Sequence, residues 1–254
     1  MTSHTENTVL VMGASSPAGI GAAIARRFTS AGKTVLISAR NAGGLNEVAA
    51  ETGARAFPCD MTDADSVDDL FAWVGEQAGT LGTAVYATGL NHFTPLTRFE
   101  PETARACVET NFLGALSFLR RSAEVLADGG AIILLSSLTA TRPAFGTAVY
   151  AGTKAALDQA TRVAAIEYAP RRIRVNGIAP GMTRTDMTEM MFDNPNLEQA
   201  VLREIPLGRM GTGEDIAAAA EWLADPDCFM TGEILSVNGG AELCRVPTFA
   251  EIMG

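Results

Sequence analysis

Short apolar or β-branched runs alternate along this chain with longer stretches in which apolar positions recur every three or four residues. Thr8–Met12, Thr34–Ala39, Arg55–Pro58, Thr83–Thr88, Ala131–Ser137, Ile173–Ile178 and Glu233–Val237 read as strands. Continuous apolar runs of this length suit strands buried on both faces, as in a parallel sheet. Ile20–Ala31, Ser66–Ala78, Thr103–Ala127, Thr147–Tyr168 and Gly213–Ala224 carry the helical period. Repeated strand–helix–strand units imply right-handed crossovers. The pattern predicts an α/β fold: a doubly wound, Rossmann-like parallel sheet of about seven strands with helices on both faces. No linker, low-complexity segment or solenoid repeat interrupts it, so residues 1–254 are expected to form one domain.

Composition narrows the functional classes. The chain has 254 residues, 47% of them hydrophobic, enough for a large core. No run approaches the ~18 apolar residues of a membrane span. Met1–Thr8 is polar, so a secretory leader is not expected and a cytoplasmic location is the simplest. A formal net charge of −10 disfavours nucleic acid and anionic membrane as partners. Cys59, Cys107, Cys228 and Cys244 are far apart and form no C-x-x-C pair, so neither a disulfide framework nor a zinc site is expected. The only histidines are His4 and His92, which leaves His92 as the one candidate for a Ser-His-Asp triad and argues against a metal centre.

In open α/β sheets, ligands bind beyond the carboxyl ends of the strands. The first strand runs into Gly13-Ala14-Ser15-Ser16-Pro17-Ala18-Gly19-Ile20-Gly21, where a helix opens. Glycines let a backbone approach a pyrophosphate, and a helix N-terminus offers free N–H groups and a positive dipole end. The spacing is G-x5-G-x-G, which alone also fits a plain strand–helix turn; its position after the first strand favours phosphate. Ser15 and Ser16 can add hydrogen bonds there. The second strand ends Ser38-Ala39-Arg40-Asn41, without the carboxylate that would hold a ribose 2′-hydroxyl. Arg40 suits a 2′-phosphate through two charge-assisted bonds, pointing to NADP(H) over NAD(H). Its alternatives are a solvated strand-end residue or a plane stacked on adenine.

The chemistry gathers at Ser136-Ser137, which ends a strand, and at Tyr150-Ala151-Gly152-Thr153-Lys154 on the following helix. Tyr150 and Lys154 are four residues apart and share a helix face. A free phenol has a pKa of roughly 10. A nearby ammonium favours the phenolate and would tune Tyr150 to exchange a proton with a carbonyl oxygen. The rival reading is an ordinary Tyr–Lys surface contact.

These residues, with Asn111-Phe112-Leu113-Gly114, Arg174 to Gly181 (RVNGIAPG), Pro206 to Gly211 (PLGRMG) followed by Glu214-Asp215-Ile216-Ala217, and Val237-Asn238-Gly239-Gly240, occur in a familiar order. Over nearly its whole length the chain resembles the short-chain dehydrogenase/reductase family, in particular its 3-oxoacyl-thioester ketoreductases. The resemblance implies an oxidoreductase acting on a small-molecule ketone or secondary alcohol. Ser137 would polarise the substrate carbonyl, Tyr150 act as general acid/base, and Lys154 bind the nicotinamide ribose. Asn111 would hold a water that links Lys154 to solvent. Asp60 and Met61 match the adenine-contacting position, though Asp60 could equally cap the next helix. Ile178, Pro180, Gly181, Thr183 and Thr185 match the nicotinamide-side loop. Thr103–Ala127 matches an oligomer interface, so a homotetramer is expected, with a dimer as the alternative.

The chain departs from the family at two places. Five residues, not three, separate Gly13 from Gly19, and the family's Asn-Asn-Ala-Gly is here Tyr86-Ala87-Thr88-Gly89. Gly89 is kept, but both bracing asparagines are gone. Substrate contacts are expected from Leu90–Pro95, Leu138–Phe145 and the segment after Gly181. Met182, Met187, Met190, Met191 and Phe192 there suggest a lid at about 182–205 over a hydrophobic substrate, or else an ordinary packed helix. Val246, Phe249 and Ile252 of the tail are candidates to pack on a neighbouring subunit. Two other functions stay in view: a cofactor sensor without turnover, and an enoyl reductase, whose pattern spaces tyrosine and lysine more widely.

Overall fold

A computed structural model describes residues 7–189, 195–246 and 248. His4, Met190, Met191, Phe192, Phe249 and Ile252 lie outside the described residues.

Seven strands form one parallel sheet: β1 (Thr8–Met12), β2 (Thr34–Ala39), β3 (Arg55–Pro58), β4 (Leu81–Tyr86), β5 (Leu126–Leu135), β6 (Arg174–Pro180) and β7 (Ile234–Val237). Their order is β3-β2-β1-β4-β5-β6-β7. The order reverses between β1 and β4, which opens a crevice at the carboxyl ends of those two strands. The helices are α1 (Ile20–Ser30), α2 (Ala42–Thr52), α3 (Ala64–Ala78), α4 (Pro101–Val108), α5 (Gly114–Val125), α6 (Ala148–Tyr168), α7 (Asp186–Glu189), α8 (Pro195–Arg203) and α9 (Gly213–Ala224).

Side chains alternate across a strand, so each apolar run feeds both faces. Val9, Val11, Ile37, Ile133 and Leu135 join Ile24, Phe28, Ile216 and Leu223 on one face. Leu10, Met12, Leu36, Ile132 and Leu134 join Leu70, Phe118 and Leu157 on the other. This two-sided burial is why the strands show continuous apolar runs instead of alternation.

Two differences from expectation bear on the site, beside an earlier start for β4 and β5. Helix α2 was not anticipated, because its Ala42-Gly43-Gly44 start has poor helix propensity and only Leu45 and Val48 are buried. It is held by its ends: the Asn41 side chain accepts from the Gly44 N–H (3.2 Å), and Gly53 closes it in the left-handed region at φ 74°. The continuous helix expected over Thr103–Ala127 is instead α4, a π-turn at Glu109–Leu113, and α5. Hydrophobic period does not register such an insertion, and π-turns concentrate at functional sites. Helix α8 packs through Leu197 and Val201 against Ile205 and Met210 in a small separate cluster with Met182 and Ala241.

Candidate active site

The glycine-rich turn leaves β1 at Gly13, whose φ of +100° excludes other residues. A side chain there would also lie 2.6 Å from the Thr88 nitrogen and 2.7 Å from its hydroxyl, so β1 and the segment after β4 approach only because Gly13 is bare. A Cβ on Gly21 would fall 2.3 Å from the Gly13 carbonyl oxygen. Helix α1 opens at Ile20 with Gly19 as its N-cap, no side-chain cap and no acidic residue in its first turn. Its terminal N–H groups and dipole are therefore available to an anion, the donor set that a dinucleotide phosphate requires. The longer loop is seated on α2: a Cβ on Gly44 would come within 2.0 Å of the Ser15 carbonyl oxygen. Ser16 donates to the Asp186 carboxylate from α7.

Ala39 is buried at the end of β2 and Arg40 is exposed beside it. An Arg40 guanidinium nitrogen lies 3.9 Å from an Asp60 carboxylate oxygen. Asp60 does not cap α3; Asp63 does, accepting from the Asp65 and Ser66 N–H groups (3.0 and 3.4 Å). The Asp60 carboxylate instead accepts from the Thr62 N–H (2.9 Å) and hydroxyl (2.8 Å). Burial raises its pKa, but those two bonds and Arg40 outweigh burial and leave the carboxyl below its ordinary range. Met61 packs into the core.

Ser137 follows β5, and its Oγ accepts from the Thr139 N–H (3.2 Å) and hydroxyl (2.9 Å). Tyr150 stands in the first turn of α6, its phenol close enough to Ser137 to feel it electrostatically. Burial pushes the phenol's pKa up, and the nearby Ser137 hydroxyl only partly offsets it. The depression expected from Lys154 is therefore not met in the protein alone. Lys154 Nζ donates to the Leu135 carbonyl (2.7 Å) and sits 5.7 Å from the centre of the Tyr150 ring. The ammonium is 3% exposed; burial pushes its pKa down to about 8, against the fields of Cys107 and Asp158.

Asn111 lies within the π-turn and is fully buried. Its Oδ1 accepts from the Leu90 N–H (2.7 Å), and its Nδ2 donates to the Leu90 carbonyl (2.9 Å) and Thr153 Oγ1 (3.2 Å). Thr153 in turn donates to the Tyr150 carbonyl (2.7 Å). A Cβ on Gly89 would stand 3.4 Å from Lys154 Nζ and 3.6 Å from Asn111 Oδ1, so both polar groups border the same bare glycine. Ser137, Tyr150, Lys154, Asn111 and Gly89 thus converge at the ends of β4 and β5. Pro180 is buried at the end of β6. Gly181 is bare because a Cβ would meet Asn238 at 2.8 Å. Thr183 donates to the Gly181 carbonyl (3.1 Å), and the Thr185 N–H donates to the Thr188 hydroxyl (3.0 Å). Ile178 is a core residue.

Thr153, Asp158 and Gly44 were not singled out from the sequence. Asp158 is buried one helical turn beyond Lys154, and burial raises its carboxyl pKa, with nearby Ser136, Arg162 and Lys154 acting in the opposite direction. Spacing along α6 contained the signal for the first two; the Gly43-Gly44 pair held one for the third. His92 has Nε2 3.3 Å from Thr103 Oγ1, so it is engaged by α4 and supplies no triad. Among the described residues no group of three His, Cys, Asp or Glu could hold a metal, and no helix is long and apolar enough to cross a membrane. The four cysteines are free. An apolar cleft of about 620 Å³, lined by Leu96, Phe145, Ala148, Ala151, Gly152 and Ala155, runs along the face of α6 turned away from Tyr150 and Lys154.

A sheet of this order, with a glycine turn after β1 and Ser, Tyr and Lys at β5 and α6, is the architecture of a dinucleotide-dependent oxidoreductase. Residues 13–242 match the family model described as enoyl-(acyl carrier protein) reductase. The chain is 37% identical over 246 residues to 3beta-hydroxysteroid dehydrogenase 1 of Eggerthella lenta, covering 93% of this chain and 94% of the relative. It is 33% identical over 234 residues to carbonyl reductase family member 4 of Danio rerio, covering 89% and 94%. A short-chain type dehydrogenase/reductase from Mycobacterium ulcerans superposes with a TM-score of 0.89 at 32% identity, over 96% of this chain and 92% of that one. A variant of actinorhodin polyketide ketoreductase with NADPH superposes with a TM-score of 0.88 at 25% identity, over 95% and 99%. The chain belongs to the short-chain dehydrogenase/reductase family and is an oxidoreductase of that family. The family binds NAD(P)(H).

Proposed function

We propose that this protein uses NADP(H) to interconvert a hydrophobic ketone and its secondary alcohol. The observation that carries the reading is the convergence of Ser137, Tyr150 and Lys154 on the strand-end edge that also bears the open N-terminus of α1. A bound nicotinamide supplies or accepts the hydride. Ser137 donates a hydrogen bond to the carbonyl oxygen and orients it. Tyr150 delivers the proton to that oxygen as carbon is reduced, and removes it in the reverse direction. Lys154, beside the Tyr150 ring, would hold the nicotinamide ribose. Asn111 braces the loop at Leu90 and, across Gly89, faces the ammonium through which the proton is replenished.

Preference for NADP(H) is supported by exposed Arg40 beside buried Ala39, where no carboxylate follows the strand. Gly13, Ser15, Ser16, Gly19, Ile20 and Gly21 would hold the phosphates, Asp60 and Met61 the adenine side, and Pro180, Gly181, Thr183 and Thr185 the nicotinamide side. A hydrophobic substrate is supported by Phe93 and Phe145, both half-exposed, with ring centres 6.5 Å apart just before the first turn of α6. Similarity to the 3-oxoacyl-[acyl-carrier-protein] reductase of Bos taurus, 32% identical over 229 residues, supports a 3-oxoacyl-type ketone as the substrate. The segment 182–205 is proposed as the lid, anchored to the glycine turn by Asp186 and Ser16. A homotetramer is proposed to form on the outer faces of α4, α5 and α6, where Val108, Leu116, Val163 and Ile166 are exposed.

The test is Tyr150→Phe. Turnover of a ketone panel with NADPH should fall by about 10²–10⁴-fold, with NADPH affinity within a factor of about two. Substantial retained turnover would show that the proton comes from another group.

A further inference from the structure

The tyrosine that replaces a family asparagine at the end of β4 has a bond of its own. Tyr86 is fully buried, and its hydroxyl donates to the Thr110 carbonyl at 2.7 Å. Thr110 is the second residue of the π-turn, and the next is Asn111. A π-turn inserts one residue into a helix and disturbs the regular i→i+4 ladder at that point, so a backbone carbonyl there is open to an outside donor. Buried carbonyls require a partner, and Tyr86 supplies this one.

The approach is built in from both sides. A Cβ on Gly114, just past the π-turn, would lie 3.0 Å from the Tyr86 hydroxyl and 3.2 Å from Met61. A bare residue there lets the phenol reach the helix. The ring rests against Phe118, centres 5.1 Å apart, and its backbone is fixed in register between Met12 of β1 and Leu134 of β5. Burial raises the phenol's pKa, so it remains a donor throughout the working pH range. A few residues on, the backbone N–H and carbonyl of Leu90 both bond to the Asn111 amide. The end of β4 is thus tied to the π-turn at two points, with Asn111 between them.

We propose that Tyr86 is a positioning residue for proton transfer: its hydroxyl holds the π-turn that aims Asn111 at Leu90, Thr153 and the Lys154 side of the site. This rests on the reaction proposed above, in which Tyr86 itself touches neither substrate nor cofactor. Without the hydroxyl, the Thr110 carbonyl can regain a partner only by drawing in a neighbouring N–H. That turns the backbone at Asn111 and takes its amide off Leu90.

The test is Tyr86→Phe, read by hydrogen exchange of amides 109–115 and by steady-state kinetics. Exchange in that segment should rise about tenfold while β5 and α1 are unchanged. The turnover number should fall about tenfold, with the KM for NADPH within a factor of about two. Gly114→Ala is the second variant and keeps the hydroxyl but crowds it; it should loosen the same segment. In the double variant the added methyl meets no phenol oxygen, so the losses should be less than additive. Wild-type exchange at 109–115 in both single variants, or an exchange rise spread evenly over the sheet, would overturn the proposal. Tyr150→Phe in the same assay separates the two readings. If it keeps its turnover, the proposed chemistry fails while the exchange result still judges Tyr86. If it is inactive and Tyr86→Phe turns over like wild type, the positioning role fails alone.

Discussion

Lys154 offers a quantitative test of the site's electrostatics. Its ammonium is buried, with a hydrogen bond to the Leu135 carbonyl, and its pKa is pushed down to about 8. An unfolded lysine titrates at about 10.4. Below about pH 8 both states hold the proton, and burying the charge costs the fold a constant amount. Between about pH 8 and 10.4 the unfolded chain binds a proton that the native protein has released, so stability attributable to this residue rises with pH. At about 1.4 kcal/mol per pH unit the window is worth about 3 kcal/mol. Unfolding entropy for a chain of this length converts that to roughly 6 °C in Tm. The perturbation is Lys154→Met, which keeps the volume and removes the titration. Melts of both proteins from pH 7 to 10 should show the wild type gaining about 3 kcal/mol on the variant. Other groups titrating in this range are common to both and cancel in the difference. Losing the bond to Leu135 costs the variant about 1–3 kcal/mol, but that cost is independent of pH. The slope is therefore diagnostic, and a flat difference would refute the buried-ammonium argument. In the same range NADPH affinity of the wild type should weaken as the ammonium is lost.

Three further outcomes follow from named contacts. Arg40→Ala should weaken NADPH binding about 10- to 100-fold through the loss of charge-assisted bonds, leaving NADH within twofold in a fluorescence titration; equal losses would remove the 2′-phosphate role. Gly44→Ala puts a methyl 2.0 Å from the Ser15 carbonyl oxygen and should shift the glycine turn, costing about tenfold in cofactor affinity; unaltered affinity would show that α2 does not set the loop. Ile166→Glu charges a residue that is 77% exposed on the outer face of α6 and should lower the mass measured by light scattering; an unchanged mass would clear that face of an assembly role.

What the sequence disclosed follows how local the cause of each feature is. Strands β1 and β2 were legible to the residue, because their apolar or β-branched runs stop at Gly13 and Arg40, and β3 was bounded by Gly53 before it and Pro58 at its end. Helix α9 was legible because Thr212 and Asp215 form a capping box ahead of an apolar stripe. Helix α2 was not, since its stability comes from Asn41 and Gly53 at its ends and from Leu45 and Val48 packing inward, more than from propensity. That Tyr150 and Lys154 share a helix face was legible from spacing, while the place of Ser137 beside them was implied by the family resemblance. The electrostatics were not: spacing puts an ammonium near a phenol, but it does not say that Nζ is spent on Leu135 or that burial dominates Tyr150.

The π-turn marks the limit of such reading. Thr103–Ala127 carries a helical period from end to end, and an inserted residue changes that period too little to notice. What makes the insertion tolerable is a phenol from β4, a glycine that admits it, and a loop carbonyl that takes the asparagine amide. Each partner lies some twenty residues or more from another, or gains its meaning only through one that does. The loss of the family's two asparagines at Tyr86 and Ala87 was visible as a departure, and it pointed to weakened bracing. The structure contains a different brace at the same strand end, directed at the helix that carries Asn111. A departure from a family pattern therefore identifies where compensation is needed, while the chemistry of the compensation depends on contacts that only the folded chain creates.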